Sequence, residues 1–140
     1  MPKGFKELDN ITADLGIEAW GPRLEDAFAS AVQGLAFLLS DLPEHDQPLT
    51  RKIRVKADSL PSLLVQLLNE IIYLEETQSF LPAKITHLKI TNNRLDATLT
   101  GATFDPERHT LNAQVKAATY HGLEIEEKEN SFKIKVIFDV

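Results

Sequence analysis

A segment rich in leucine and isoleucine in the middle of the chain restricts the possible folds more than any other feature. Its apolar residues include Leu63, Leu64, Leu67, Leu68, Ile71, Ile72 and Leu74. They recur at helical spacing but cover most of the helix circumference, and the predicted helix ends near Glu76. Asp58 and Ser59 are candidate N-caps, and Pro61 occupies a first-turn position that tolerates proline. A helix that is apolar on most sides must be enclosed by other elements, so this one should be central to the fold.

The rest of the chain predicts one more helix and seven strands. The helix is amphipathic and extends from Arg23 to Ser40. The predicted strands are 3–9, 10–21 (a short turn at its start that leads into the strand), 50–57, 83–91, 94–101, 111–120 and 131–140. Asn92 and Asn93 suit a hairpin turn, and Gly122 is expected to mark a bulge or bend. The order ββαβαββββ predicts a single α+β domain over residues 1–140, with two helices covering one face of a largely antiparallel sheet or lying between two sheets.

Composition excludes several classes of protein. The 140 residues contain no cysteine, which removes disulfides, thiolate nucleophiles and zinc–thiolate sites. The net charge of −6 argues against a free-standing nucleic-acid binder, although a local patch or a partner protein could still bring an acidic chain to RNA. No apolar run approaches the roughly 20 residues that span a bilayer, and the N-terminal residues lack a signal-peptide core, so a cytoplasmic location is expected. Neither a Walker pattern nor GxGxxG is present to support nucleotide binding by this chain.

Three charged residues fall on strand faces that point away from the predicted core. Asp14 lies on the outward parity of its strand, where aspartate is normally depleted, and Asp139 and Lys116 share that parity. Asp14 and Asp139, with a carboxyl or carbonyl oxygen of Val140, would make an oxygen-only site for a hard cation such as Ca²⁺ or Mg²⁺. The alternative is that they are ordinary solvated charges on exposed sheet faces, because parity does not show which strands are neighbours.

Other polar residues leave further alternatives open. Glu70, on a mostly apolar helix, is either an acid or base tuned by burial or a structural polar residue. Lys52, Arg54 and Lys56 alternate along a strand, and this basic face either contacts RNA or an acidic partner or is the solvated side of an edge strand. The four histidines lack the spacing of a helical zinc pair, so surface or hydrogen-bonded structural roles are expected for them.

Six segments, taken in order, resemble the archease family over nearly the whole chain. They are Thr12-Ala13-Asp14 with Gly16–Gly21, Leu24–Phe28, Leu68–Glu70 continuing to Leu74, Phe104–His109, Val115–His121 and Val136–Val140. Any one of them is weak by itself, but the ordered set is specific. The chain departs from the family pattern at Ile11, where archeases usually have histidine, and at Leu67, where they often have tryptophan.

The resemblance implies an accessory protein rather than an enzyme. Archeases assist the RtcB-type RNA ligase of tRNA splicing by promoting guanylylation of the ligase's histidine and multiple turnover. They carry a metal ion, taken as Ca²⁺, for which the implied ligands here are Asp14, Asp139 and Val140. Lys116 is a candidate for contacting the ligase, and tRNA would be reached indirectly through it. The alternative is a chaperone-like modulator of tRNA-modifying enzymes such as a tRNA methyltransferase. An independent hydrolase is disfavoured, because no nucleophile–base set emerges.

Overall fold

The computed structural model describes residues 2–9, 14–43 and 46–140. Its elements are β1 (Gly4–Glu7), β2 (Leu15–Gly21), α1 (Leu24–Leu39), β3 (Leu49–Lys56), α2 (Leu60–Gln78), β4 (Phe80–Thr91), β5 (Arg94–Thr103), β6 (Ala117–Lys128) and β7 (Ser131–Asp139). This order confirms the predicted succession ββαβαββββ and the α+β class. Within the described residues, neither helix is long and apolar enough to cross a membrane.

The strands form two separate antiparallel sheets with the helices packed between them. One sheet has the order β1-β2-β7-β6 and the other the order β3-β5-β4. Helix α1 contacts β2 and β4, and α2 contacts β6 as well as β3, so each helix touches both sheets. Of the two arrangements that the sequence allowed, the chain therefore adopts the one in which the helices lie between two sheets.

Helix α2 occupies the central position that its apolar surface predicted. Leu63, Leu67 and Leu68 are fully buried, as are most of the other apolar residues of the helix. At its start the Ser59 hydroxyl accepts a hydrogen bond from the Ser62 backbone N–H at 3.3 Å, which confirms Ser59 as the N-cap. At its end Ser79 adopts the left-handed conformation and donates its N–H to the Leu74 carbonyl.

Two of the predicted chain reversals are present in the structure. Asn92 and Asn93, between β4 and β5, both have positive φ (49° and 63°), as a tight hairpin turn requires. Gly122, at φ 65°, lies inside β6 where the pairing with β7 shifts register between Thr119 and Glu124. The register shift shows that the glycine marks a bulge, and its positive φ is a conformation that glycine adopts more readily than residues with a Cβ.

The strand predicted over 111–120 was wrong in its first half. Strand β6 begins at Ala117, and Leu111 makes only an isolated bridge to Ser40. The backbone of residues 111–113 satisfies the end of α1 instead, since the N–H groups of Asn112 and Ala113 donate to helix carbonyls at 2.9 and 3.1 Å. Leu111 is 49% exposed, so it does not face the core as an apolar residue of a half-buried strand would.

Smaller corrections concern the bounds of other elements. Strand β1 covers only 4–7 of the predicted 3–9, and β4 begins at residue 80 rather than 83. Asp14 was placed on a strand by its parity, whereas it lies in a bend and β2 begins at Leu15. The predicted strand residues 10–13 lie outside the described residues.

Candidate functional site

The start of β2, the end of β7 and the start of β6 meet at one edge of the four-stranded sheet, the edge that the strand ends form. Strands β2 and β7 are antiparallel and pair Leu15 with Phe138. Asp14 immediately precedes Leu15 and Asp139 immediately follows Phe138, so this register brings the two aspartates to neighbouring positions. On the other side of β7, Asp139 pairs with Ala117 at the start of β6.

Lys116 also lies at this edge. Its backbone N–H donates to the Asp139 carbonyl oxygen at 2.8 Å, and this hydrogen bond holds the chain against β7 just before β6 begins. The Lys116 residue is exposed. The structure thus brings together Asp14, Asp139 and Lys116, which the sequence related through strand parity and through the family resemblance.

The residues at this edge that could ligate a metal ion through oxygen are accessible. Asp14 is half-buried, Asp139 is exposed, and Val140 is 42% exposed. Across the described part of the chain, no Lys, Arg or His nitrogen lies within ion-pair distance of either aspartate. Two carboxylates beside a further backbone oxygen suit Ca²⁺ or Mg²⁺, which take oxygen ligands. A metal cluster of three His, Cys, Asp or Glu side chains is not found among the described residues.

Asn69 has a structural role beside this edge that the sequence analysis did not single out. The backbone N–H of Ala118 donates to Asn69 Oδ1 at 2.7 Å, and Asn69 Nδ2 lies 3.5 Å from the Ala118 carbonyl oxygen. Strand β6 is at the edge of its sheet, so these backbone groups lack a neighbouring strand. Asn69 therefore fixes β6 to α2 two residues from Lys116. Its position as a polar exception in an apolar helix was the only sequence signal.

Glu70 does not have the buried environment that was one of its two predicted alternatives. It is exposed, and the polar side chain facing β6 from this part of α2 is that of Asn69. No hydrogen bond or ion pair of the Glu70 side chain occurs within the described residues. Burial therefore provides no basis for Glu70 as a tuned acid or base.

A second polar cluster joins the segment between α1 and β3 to the segment between β5 and β6. His109 Nε2 lies 2.6 Å from Asp46 Oδ2, and Arg108 lies 2.8 Å from the same oxygen. His109 Nδ1 accepts the Asp105 backbone N–H at 2.9 Å, which leaves Nε2 as the donor to Asp46. The hydrogen bond from His109, aided by the charge of Arg108, holds the pKa of Asp46 below its usual range against the opposing effect of burial.

The hydrogen-bonded structural role, one of the two roles predicted for the histidines, is confirmed at His109. Its side chain is 1% exposed, and that of Asp46 is 7% exposed. His87 and His121 are at the surface, as expected, whereas His45 lies outside the described residues. Ile11, where the family resemblance expects histidine, also lies outside them.

Comparison with known proteins gives a family match across almost the whole chain. Residues 5–140 match the model described as the Archease protein family (MTH1598/TM1083). Protein archease of Methanothermobacter thermautotrophicus is 30% identical, with 99% of both chains covered. Protein archease of Pyrococcus furiosus is 33% identical, with 82% of this chain and 83% of the relative covered.

Two solved structures share the fold. The solution structure of Methanobacterium thermoautotrophicum protein 1598 superposes with a TM-score of 0.78 at 27% identity, covering 98% of this chain and 99% of that one. The crystal structure of an archease, possible chaperone, from Thermotoga maritima has a TM-score of 0.66 at 22% identity, covering 96% and 97%. The second likeness concerns the fold alone.

Proposed function

The chain belongs to the archease family, and we propose that it is a cytoplasmic accessory protein that activates an RtcB-type RNA ligase in tRNA splicing. It would promote guanylylation of the ligase's histidine and multiple turnover, and would reach tRNA through the ligase. The family assignment supports an accessory role. The observation that carries the proposal is the β2–β7 register, which makes Asp14 and Asp139 neighbours at an accessible sheet edge.

The proposed site holds a divalent cation, Ca²⁺ or Mg²⁺, through Asp14, Asp139 and an oxygen of Val140. When bound, the ion would supply positive charge for positioning GTP phosphates. Asp14 and Asp139 would present their carboxylates from adjacent chain segments, so the ion would fix one segment against the other. Lys116, held beside them by its backbone bond to Asp139, would offer a cation to the ligase or its nucleotide.

Ligase guanylylation tests the proposal directly. The purified ligase is incubated with labelled GTP alone, with the wild-type protein, or with Asp14→Ala or Asp139→Ala. Wild type should accelerate covalent labelling, and either variant should lose the acceleration, because each removes one carboxylate from the site. Glu127→Ala is the matched control, since this exposed carboxylate lies at the opposite end of β6. Full activity of both aspartate variants would remove this site from the mechanism.

Calcium-dependent stability gives a readout that needs no ligase. An ion that binds only the folded state stabilises it by about 2.7 kcal/mol when its free concentration is 100 times Kd. Titration with Ca²⁺ should therefore raise the melting temperature of wild type and of Glu127→Ala, and EDTA should reverse the rise. Asp139→Ala should show little response. An equal response from Asp139→Ala would exclude that carboxylate as a ligand.

A second candidate is a chaperone-like modulator of tRNA-modifying enzymes such as a tRNA methyltransferase. It is favoured by two large apolar residues exposed at the end of α1, Phe37 (50%) and Leu111 (49%). The two are connected through Asn112, whose amide donates to the Phe37 carbonyl at 3.1 Å. This function predicts that the protein alters a partner enzyme's oligomeric state, that Phe37→Ser weakens the effect, and that Asp139→Ala leaves it unchanged. Light scattering of the methyltransferase in the presence of each variant would distinguish this function from ligase activation.

A further inference from the structure

The outer face of the three-stranded sheet collects basic side chains from all three strands. On β3, Lys52, Arg54 and Lys56 pair with Thr98, Asp96 and Arg94 of β5. On the far side of β5, Lys89 of β4 pairs with the same Asp96, and His87 with the same Thr98. Cross-strand partners share a face. We call Lys52, Arg54, Lys56, His87, Lys89 and Arg94 the basic sheet face.

The side chains of this face line two adjoining open grooves. Lys56, Lys89 and Arg94 line the groove beside the β4–β5 turn. Lys52, Arg54 and His87 line the next groove along the sheet. Lys89 and Asp96 belong to both grooves, so the surface is continuous across the three strands.

The charge of this face is opposite to that of the whole protein. The grooves contain five of the fifteen Lys and Arg residues but only two of the twenty-one Asp and Glu residues, Asp58 and Asp96. The residues that line the two grooves therefore have a net charge of +3 with histidine neutral, while the rest of the chain has −9. Such segregation concentrates a positive field on one surface of an acidic protein.

Most of these cations have no internal counter-charge. Asp96 is occupied by Arg54, with Nε and Oδ1 2.6 Å apart. Within the described residues, no carboxylate lies within ion-pair distance of Lys52, Lys56, Lys89 or Arg94. All four are exposed. Four cations held on a rigid sheet are thus available to an external anion.

The composition of the face favours a polyanion over a folded protein partner. Protein interfaces are enriched in aromatic residues and depleted of lysine at their core. The grooves contain three lysines and no aromatic residue except His87, and their two apolar residues in strands, Ile53 and Ala97, are buried. Alternate residues of a strand stand roughly 6.6–6.8 Å apart, similar to successive phosphates of an extended nucleic-acid strand.

We propose that the basic sheet face binds the phosphate backbone of a nucleic-acid strand. The net charge of −6 argued against a free-standing nucleic-acid binder but left open contact with RNA through a local patch, and the basic sheet face is such a patch. With no aromatic platform for stacking bases, recognition would be largely independent of sequence. This goes beyond the proposed ligase activation and does not depend on it.

Fluorescence anisotropy with the full-length protein tests this proposal. The probes are a labelled 20-nucleotide single-stranded RNA of mixed sequence and the DNA of the same sequence. Four phosphate contacts predict that log K falls with log salt concentration at a slope of about −3, since a single strand gives roughly −0.7 per contact. Equal affinity for RNA and DNA would assign binding to phosphates, and tighter binding of RNA would add a contact to the 2′-hydroxyl.

A matched pair of variants assigns binding to the face. K52Q/K89Q removes two of the four available cations, whereas K6Q/K128Q makes the same change in net charge at exposed lysines elsewhere. We expect K52Q/K89Q to weaken binding about tenfold and to reduce the slope to about −1.5, and K6Q/K128Q to change the affinity less than about twofold. Circular dichroism and melting of each variant check that the fold is intact.

Three results would overturn the proposal. These are no binding by wild type at 50 mM salt, equal weakening by both variants, or unchanged binding by K52Q/K89Q. Labelled poly-glutamate is the competing probe. If it binds as tightly as RNA and with the same dependence on Lys52 and Lys89, the face recognises acidic protein segments instead. The assay contains no ligase, so its failure would leave the proposed ligase activation untouched.

Discussion

Replacing Asn69 by leucine should destabilise the protein by about 2 kcal/mol, because it leaves a buried edge-strand amide unpaired. The 2.7 Å bond from the Ala118 N–H to Asn69 Oδ1 is well formed, whereas the return contact of 3.5 Å is at the limit of a hydrogen bond. Ala118 is 5% exposed, so water does not readily replace the lost acceptor. An unsatisfied buried donor costs about 1–3 kcal/mol, and the single strong bond places Asn69→Leu near the middle of that range.

Thermal unfolding and hydrogen exchange measure the effect. At this chain length 2 kcal/mol corresponds to a fall in melting temperature of roughly 6 °C. Leucine is similar in size to asparagine, so the change does not add a large cavity. Glu70→Gln, at the exposed neighbouring position, should stay within about 0.5 kcal/mol of wild type.

The Ala118 amide provides a local check. Its exchange should accelerate in Asn69→Leu more than the exchange of amides in the central strand β7, because the lost acceptor belonged to Ala118 alone. The reasoning would be refuted if Asn69→Leu were as stable as wild type and its Ala118 amide were equally protected from exchange. It would show that the β6–β7 ladder and the packing of α2 hold this strand without the side chain of Asn69.

Two further predictions concern packing and acid stability. Gly101→Ala should cost about 3 kcal/mol in urea unfolding, at the upper end of the usual range for overpacking, because a Cβ there would collide with the Leu81 carbonyl oxygen and lie 2.8 Å from the Phe80 ring; a cost below about 1 kcal/mol would contradict this. The lowered pKa of Asp46 stabilises the fold fully above the ordinary aspartate pKa of about 3.9, and this contribution is lost as pH falls through the lower folded-state pKa. Asp46→Asn should therefore melt below wild type at pH 7, with the difference shrinking towards pH 2, and a constant difference would exclude the ionic contribution.

Much of the fold follows from local sequence pattern. The apolar circumference of α2 required a central helix, and its Ser59 cap is present. The Asn92–Asn93 turn and the bulge at Gly122 were predictable because positive φ is favourable for so few residue types. The start of β6 was not, since residues 111–113 alternate like a strand but their N–H groups satisfy the end of α1. Periodicity reports which side of a segment is apolar, and it does not report which backbone groups the segment pairs with.

The candidate site, like the fold, was only partly predictable from the sequence. The sequence by itself predicted that Asp14, Lys116 and Asp139 face away from the core, although only Asp139 of the three lies within a strand. It also showed that Lys52, Arg54 and Lys56 alternate along one strand as a basic row. Only the tertiary structure decided that β2, β7 and β6 are consecutive in one sheet, which makes Asp14 and Asp139 neighbours.

Tertiary structure also decided that Lys89 and Arg94 extend the basic row across three strands, while Asn69 rather than Glu70 faces β6. The physical reason is that side-chain alternation is a property of each strand alone. Strand order and register depend on contacts between residues far apart in the chain, in this case on the apolar helices that both sheets enclose.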